Sequence, residues 1–194
     1  WELYMEWFPE ADDFIELKKE TDDIIPLYVN CWKKDTPYQI ALDLCNQVGF
    51  RFVHNRDTTD LFKEIAKIVN KKSAVLVLDE CDKVTDQQLL YTLLEEIYRK
   101  ALILITNDDG WLGRLDSRVR SRLTPNIITF QPYTAGETYN ILKNRVAYAF
   151  APGVLDPEAF DMIVQQTAAL GDIRAGLHLL KEAGEIAEYR AARK

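Results

Sequence analysis

The sequence contains little glycine, proline and cysteine, and these low counts exclude several classes of protein. Eight Gly and seven Pro among 194 residues are too few for a flexible linker or a low-complexity chain. The three cysteines, Cys31, Cys45 and Cys81, are odd in number and lack metal-site spacing, which predicts buried thiols. No apolar run approaches the roughly 20 residues that cross a bilayer. We therefore expect a cytoplasmic protein with no membrane partner.

Negative charge exceeds positive charge. Asp and Glu outnumber Lys and Arg by 31 to 24, which gives a net charge of -7. Because neutralisation of phosphates supplies most of the non-specific affinity for DNA, this chain alone is not expected to bind duplex DNA strongly. Any contact with DNA should be local or lie outside the chain. The hydrophobic fraction of 47% and the charged fraction of 28% are typical of a globular domain.

Three continuous apolar runs have the length of buried strands. They are IIPLYV at residues 24–29, AVLVL at residues 74–78 and ALILI at residues 101–105. Helical patterns, opening at Thr36-Pro37, Thr58-Thr59 and Gln87, separate these runs. Apolar strands without alternation, separated by helices, predict a parallel sheet covered on both faces, which is an α/β fold.

The pattern changes after Asn107. Residues 127–130 (IITF) predict one more short strand, and the sequence beyond Tyr133 is helical throughout. Helix-start signals follow at Thr134 with Glu137, at Asp156-Pro157 and at Gly171-Asp172. We therefore expect two domains, an α/β core at residues 1–132 and a small all-α lid at residues 133–194.

Polar residues follow two of the predicted strands directly. Asp79 and Glu80 end the second run, and Asn107 lies just beyond the third. Ligands of open α/β sheets bind at the carboxyl ends of the strands. An apolar run followed by Asp-Glu is the Walker B arrangement, in which the first carboxylate holds hydrated Mg²⁺ and the second activates the attacking water. Taken singly, each of these residues could also be a polar end to a strand.

Arginine is concentrated after the third strand. Arg114, Arg118, Arg120 and Arg122 lie within nine residues of one another, and Arg174 opens the last helix. A guanidinium inserted into a neighbour's phosphate site stabilises transition-state charge, and arginine suits this task because its planar group stays charged. A basic surface patch remains the alternative for the cluster, and a local ion pair remains the alternative for Arg174.

Several segments, taken in order, resemble one known family. They are YVNCW at 28–32, VLDECD at 77–82, TND at 106–108, LDSRVRSRL at 115–123, FQPYT at 130–134 and GDIR at 171–174. This series resembles the archaeal replication initiators, AAA+ ATPases that combine features of the origin-recognition-complex large subunit and the cell-division-cycle loader. The likeness runs from about Tyr28 to Glu188, and the ordered series is far more specific than any one motif.

The resemblance implies an AAA+ sheet followed by a helical lid, with ATP or ADP and Mg²⁺ as ligands. It implies a Walker B site at Asp79, the metal ligand, and Glu80, with Asn107 as sensor 1. An arginine finger is implied among Arg118, Arg120 and Arg122, with Arg122 favoured because Ser121-Arg122 resembles a pair found in clamp-loader subunits. Arg174 would be sensor 2.

The resemblance also implies partners. Members of the family bind origin DNA, assist the replicative helicase at the nucleoid and contact one another through the arginine finger. They carry a helical insertion that touches DNA, and residues 49–62 look like that region. Arg51, His54 and Arg56 are its candidate phosphate contacts, although an ordinary surface loop remains the alternative for each.

Two departures limit this transfer. No glycine of the chain is followed by lysine, so the Gly-x-x-x-x-Gly-Lys-Ser/Thr loop that cradles phosphates is absent, and we expect impaired ATP binding. In the family this loop precedes the helix that we expect to end at residues 1–8. The winged-helix domain expected after the lid is missing too, and the chain starts at Trp1 and not at Met. We therefore expect a truncated chain whose intact protein is an ATPase.

The sequence is also compatible with three other interpretations. A clamp-loader subunit would lack the insertion and carry a different C-terminal domain. A nucleotide-free scaffold would keep Asp79 and Glu80 as relics. A metal-dependent nuclease built on Asp79, Glu80 and Asp82 is the weakest, since it would need further carboxylates converging on two metals.

Overall fold

The structure is a computed structural model that describes residues 23–193. The helix expected at residues 1–8 lies outside the described residues. The chain divides into two compact units, Trp1–Pro125 and Asn126–Lys194. The boundary that the sequence suggested near Pro132 lies a few residues beyond this division.

In the described part of the first unit, the strands form a parallel three-stranded sheet. Its strands are β1 (Ile24–Asn30), β2 (Ser73–Asp79) and β3 (Lys100–Leu104), arranged in the order β1-β2-β3. Both neighbouring pairs are parallel, and the register aligns Asn30 with Asp79. This confirms the parallel sheet of an α/β fold, with the strands at the three predicted apolar runs.

Within residues 23–125, five helices and a short 3-10 helix (Cys81–Lys83) accompany the sheet. The helices are α1 (Pro37–Gln47), α2 (Thr58–Val69), α3 (Gln88–Glu96), α4 (Trp111–Arg114) and α5 (Ser117–Leu123). Side-chain caps determine where several of them begin. The Thr36 hydroxyl accepts from the Gln39 N–H before α1, and the Asp57 carboxylate accepts from the Asp60 N–H before α2, because the first amides of a helix lack partners within it.

The sheet and its helices bury one apolar core. The sheet contributes Leu27, Val29, Leu76 and Leu78, and the helices contribute side chains such as Ile40, Leu44, Leu61, Ile65, Leu89 and Leu93. All three cysteines lie buried as free thiols, as the sequence predicts. Among the described residues, no helix is both long and apolar enough to span a membrane.

The fourth predicted strand, at residues 127–130, is wrong. This segment belongs to no sheet, and its side chains Ile127, Ile128 and Phe130 are 72%, 78% and 90% exposed. Strand formation requires a neighbouring strand, and β3 pairs only with β2 in the part of the chain that the structure describes. Ile103 of β3 and Ile105 just beyond it are 45% and 46% exposed.

The second unit is a three-helix bundle. Its helices are α6 (Ala135–Ala149), α7 (Pro157–Leu170) and α8 (Ile173–Ala191), and they bury a small core of Leu142, Phe160, Val164 and Leu180. The capping box predicted for Thr134 and Glu137 is present. Gly171 ends α7 with φ +66°, a left-handed conformation that glycine adopts without strain.

Candidate functional site

The carboxyl ends of the three strands bring the polar candidates of the first unit together. Asp79 ends β2, Asn30 ends β1 beside it, and Asn107 follows β3. Beyond the strands, the Cys81 N–H still donates to the Ile105 carbonyl at 3.0 Å. This bond keeps the segment after β2 next to the segment after β3. The sequence prediction that Asp79, Glu80 and Asn107 share one edge of the sheet matches this placement.

Asp79 is oriented by two residues of β1. The Tyr28 hydroxyl donates to Asp79 Oδ2 at 2.8 Å, and Asn30 Nδ2 donates to the same oxygen at 3.2 Å. Because both bonds reach Oδ2, Oδ1 is the oxygen that can turn toward a hydrated cation. A carboxylate is the ligand that Mg²⁺ prefers, and in nucleotide sites one or two of them suffice alongside phosphate oxygens. The donor set therefore fits a magnesium-nucleotide site.

Glu80 adopts an unusual backbone conformation for its residue type. Its φ is +54° and its ψ is +42°, the left-handed region that costs an L-residue roughly 1–2 kcal/mol. Its carboxylate oxygen Oε1 accepts a hydrogen bond from Asn107 Nδ2 at 3.3 Å. Strained residues cluster at functional sites, where the surrounding structure enforces the conformation. A carboxylate and an amide donor are thus held side by side at the end of the sheet.

The arginine cluster lies on α4 and α5, and each side chain has a partner within the unit. Arg122 pairs with Glu95 of α3 at 2.5 Å, and its guanidinium lies 4.9 Å from the centre of the Tyr91 ring. Arg118 pairs with Asp116 at 3.5 Å, and its side chain is 79% exposed. Arg114 forms an ion pair with Asp108, and Arg120 donates to the Gly113 carbonyl.

Arg174 lies in the second unit, at the start of α8. Its Nε pairs with Asp172, the N-cap of that helix, at 3.2 Å, and its side chain is 88% exposed. Asp172 also accepts from the Arg174 N–H. These two hydrogen bonds and the positive charge of Arg174 hold the pKa of Asp172 below its usual value. The local ion pair considered as the alternative for Arg174 is therefore present.

The candidate DNA contacts lie on the loop between α1 and α2. Of the region that the resemblance implied, residues 49–57 form this loop and residues 58–62 are the first turn of α2. Arg51 and His54 are exposed. Arg56 pairs with Glu64 of α2 at 3.3 Å, and its guanidinium lies 5.3 Å from the centre of the Phe50 ring. Arg51 and His54 are thus more accessible to a phosphate than Arg56.

Sequence reasoning assigned no role to several residues that shape the site. Tyr28 and Asn30 contact Asp79, and Thr106 contacts Asp82 at 2.8 Å. A signal existed for Asn30, because a polar residue ends a predicted strand next to the strand that carries Asp79. The contacts of Tyr28 and Thr106 depend on strand register, which periodicity does not provide.

The parallel sheet, the Asp-Glu pair at the end of one strand, the asparagine after the next and the helical bundle define the class of an AAA+ ATPase module. Comparison with protein-family models supports this assignment to the AAA+ class. The model for an AAA domain matches residues 2–107, and the model for a Cdc6 AAA+ ATPase-type lid domain matches residues 139–194.

Similarity to individual proteins identifies a family within this class. ORC1-type DNA replication protein 1 of Aeropyrum pernix is 35% identical over 179 residues, which cover 85% of this chain and 45% of the relative. The solved structure of the Aeropyrum pernix ORC1 protein in complex with DNA has 35% identity and a TM-score of 0.75, covering 86% of this chain and 46% of that one. Cdc6p of Pyrobaculum aerophilum shares the fold with a TM-score of 0.81 at 20% identity, covering 93% of this chain and 52% of that one.

The chain belongs to the AAA+ ATPase family of archaeal ORC1/Cdc6-type replication initiators. It spans about half the length of the curated relatives it matches. The AAA+ fold with its helical lid, expected from the sequence, is confirmed.

Proposed function

We propose that this chain is part of the ATP-hydrolysing module of a replication initiator, which binds origin DNA and helps to load the replicative helicase. The observation that carries the proposal is the pairing of Glu80 with Asn107 at 3.3 Å, next to Asp79, at the carboxyl end of a parallel sheet. The names of the relatives support the role in replication, and one of them was solved bound to DNA. The protein would act on chromosomal DNA in the cytoplasm, at the nucleoid.

Each residue of this group has a distinct role in the proposed reaction. Asp79, held by Tyr28 and Asn30, would supply the carboxylate that binds Mg²⁺. When bound, the ion neutralises charge on the β- and γ-phosphates. Glu80 orients the attacking water and accepts its proton, while Asn107 Nδ2 donates a hydrogen bond to the water or to a γ-phosphate oxygen. The bond between Glu80 and Asn107 would then be exchanged for bonds to the substrate.

Arginines outside this group would complete the nucleotide site. Arg122 is the proposed finger that enters the site of a second copy, with Arg118 as the alternative. To reach a neighbour, Arg122 would leave Glu95, and such exposed pairs contribute only about 0.2–1 kcal/mol. Arg174 would turn from Asp172 to a phosphate of the bound nucleotide in the same way.

The proposal is tested by calorimetric titration with Mg²⁺-ATP. We would compare this chain with the full-length protein, both carrying Glu80→Gln to slow turnover, and use Asp79→Ala as the matched variant. Tight binding to the full-length protein, weak binding to this chain and a loss of magnesium dependence in Asp79→Ala are the expected results. The absence of binding to either protein would favour a nucleotide-free scaffold in place of an ATPase.

A further inference from the structure

A second polar contact joins the segments after β2 and β3, beside the pair of Glu80 and Asn107. The Thr106 hydroxyl donates to Asp82 Oδ1 at 2.8 Å and accepts from the Asp108 N–H at 3.0 Å. The other carboxylate oxygen of Asp82 pairs with Lys83 at 2.7 Å, and the Asp82 side chain is only 7% exposed. Asp82 is therefore a nearly buried carboxylate whose two oxygens are both engaged.

The Thr106 hydroxyl is fixed from both sides. A hydroxyl has one hydrogen to donate and lone pairs to accept with, and here it uses both functions in adjacent bonds. Donating to an ionised carboxylate makes the first bond stronger than a neutral one. The rotamer of Thr106 and the turn at Asp108 are therefore determined together.

The position of Asn107 follows from this arrangement. It lies between Thr106 and Asp108, the two residues that the hydroxyl ties down, while Asp82 lies two residues after Glu80. The backbone bond from Cys81 to Ile105, 3.0 Å long, aligns the same two segments but does not orient the turn at Asn107. The side-chain contact thus connects the residues on both sides of Asn107 to the segment that carries Glu80.

We propose that Asp82 and Thr106 are positioning residues, which set the distance between the Asn107 amide and the Glu80 carboxylate for ATP hydrolysis. The catalytic part of this inference rests on the proposed function. The geometric part does not, because it concerns contacts within this chain. Neither residue is placed against the nucleotide.

The charge state of Asp82 supports the arrangement. Burial by itself would raise the pKa of the Asp82 carboxyl. Hydrogen bonds from Lys83, from Thr106 and from its own backbone N–H outweigh this effect and hold the pKa below its usual value. Asp82 is therefore ionised at neutral pH and available as an acceptor for the hydroxyl.

The test uses a matched pair of variants at one position. Thr106→Val keeps the shape of the side chain and removes the hydroxyl, whereas Thr106→Ser keeps the hydroxyl and removes a methyl group. In this chain, labelled with nitrogen-15, the readouts are hydrogen exchange at the Asp108 amide and the chemical shifts of the Asn107 side-chain amide. The Ala159 amide, which donates to Asp156 in the second unit, serves as the internal control.

We expect Thr106→Val to speed exchange at Asp108 by about ten-fold, the factor that corresponds to one lost hydrogen bond, and to shift the Asn107 signals. Thr106→Ser should stay within about two-fold of the parent, and Ala159 should not change. If valine leaves Asp108 and Asn107 unchanged, or if serine behaves like valine, the inference is overturned. Should the valine variant fail to fold, Asp82→Ala must loosen Asp108 in the same way, and failure to do so also overturns the inference.

ATP turnover by the full-length protein gives the second readout. Thr106→Val should lower kcat and leave the KM for ATP unchanged, and Thr106→Ser should restore kcat. An unchanged kcat in Thr106→Val would refute the catalytic part. A parent protein that hydrolyses no ATP would refute the proposed function, while the exchange data would still decide the geometric part.

Discussion

Burial determines the chemistry of the three cysteines. Burial, with nearby Asp79 and Asp82, raises the pKa of Cys31 to about 11. Burial, with nearby Cys31 and Asp82, raises the pKa of Cys81 to about 12. The pKa of Cys45 is raised by burial as well. Since the thiolate is the reactive form, none of these side chains is a nucleophile at neutral pH.

These shifts predict that the free energy of unfolding falls as the pH rises above about 9. An unfolded thiol ionises near pH 8.5, while the folded state keeps Cys31 and Cys81 protonated until about pH 11 and 12. The unfolded state therefore binds fewer protons in this window, and rising pH favours it. Urea unfolding at a series of pH values should show the decline.

The matched control is the double variant Cys31→Ala, Cys81→Ala. Tyrosine and lysine side chains titrate in both proteins, so only the thiol contribution differs between them. The variant should be less stable near neutral pH but lose stability less steeply above pH 9. An equally steep loss in both proteins would contradict the prediction.

At the scale of helices and strands, composition and capping predicted most of the fold. The apolar runs became β1, β2 and β3, and the capping signals at Thr36 and Thr134 mark true helix starts. Residues 127–130 are mainly apolar, like the runs that form β1, β2 and β3, but they form no strand. A strand also needs a neighbouring strand to pair with, and a local sequence pattern does not show whether one is present. The contacts of Tyr28 and Asp82 likewise depend on register and were beyond the sequence pattern.

Close packing between α7 and α8 gives a prediction for Gly176. A Cβ at this position would lie 2.4 Å from Thr167 Oγ1 and 2.8 Å from Thr167 Cγ2, so rotation of Thr167 cannot relieve the clash. We expect Gly176→Ala to destabilise the second unit by about 1–3 kcal/mol, the usual cost of overpacking, despite the better helix propensity of alanine. Thermal unfolding followed by circular dichroism measures the change.

Two further variants control for helix propensity and for the clash. A Cβ at Gly136 of α6 meets no atom within 4 Å, so Gly136→Ala should be neutral or stabilising by up to about 1 kcal/mol. Adding Thr167→Ala to Gly176→Ala removes both clashing atoms and should recover part of the loss. Equal effects of alanine at positions 136 and 176 would show that packing is not the cause.

At the scale of the whole molecule, β3 is the outer strand of the sheet among the described residues. In the range that the structure describes, its outer side has no partner strand, and Ile103 and Ile105 are partly exposed beside it. Unpaired edges with apolar side chains are templates for pairing between chains. We therefore expect this chain to self-associate as its concentration rises.

Sedimentation velocity over a concentration series tests this expectation. Ile103→Lys places a charge on the edge and should shift the population toward the monomer. Ile128→Lys removes another exposed isoleucine that lies outside the sheet, and it should have little effect. If both variants reduce association equally, general apolar surface and not the strand edge is responsible.

The left-handed backbone conformation of Glu80 determines which substitutions at this position would stabilise the fold. Glycine adopts that conformation without strain, and asparagine tolerates it better than glutamate does, so either substitution would increase the stability of the fold. Glutamate at this position therefore lowers the stability of the fold, as is common where a side chain is required for chemistry.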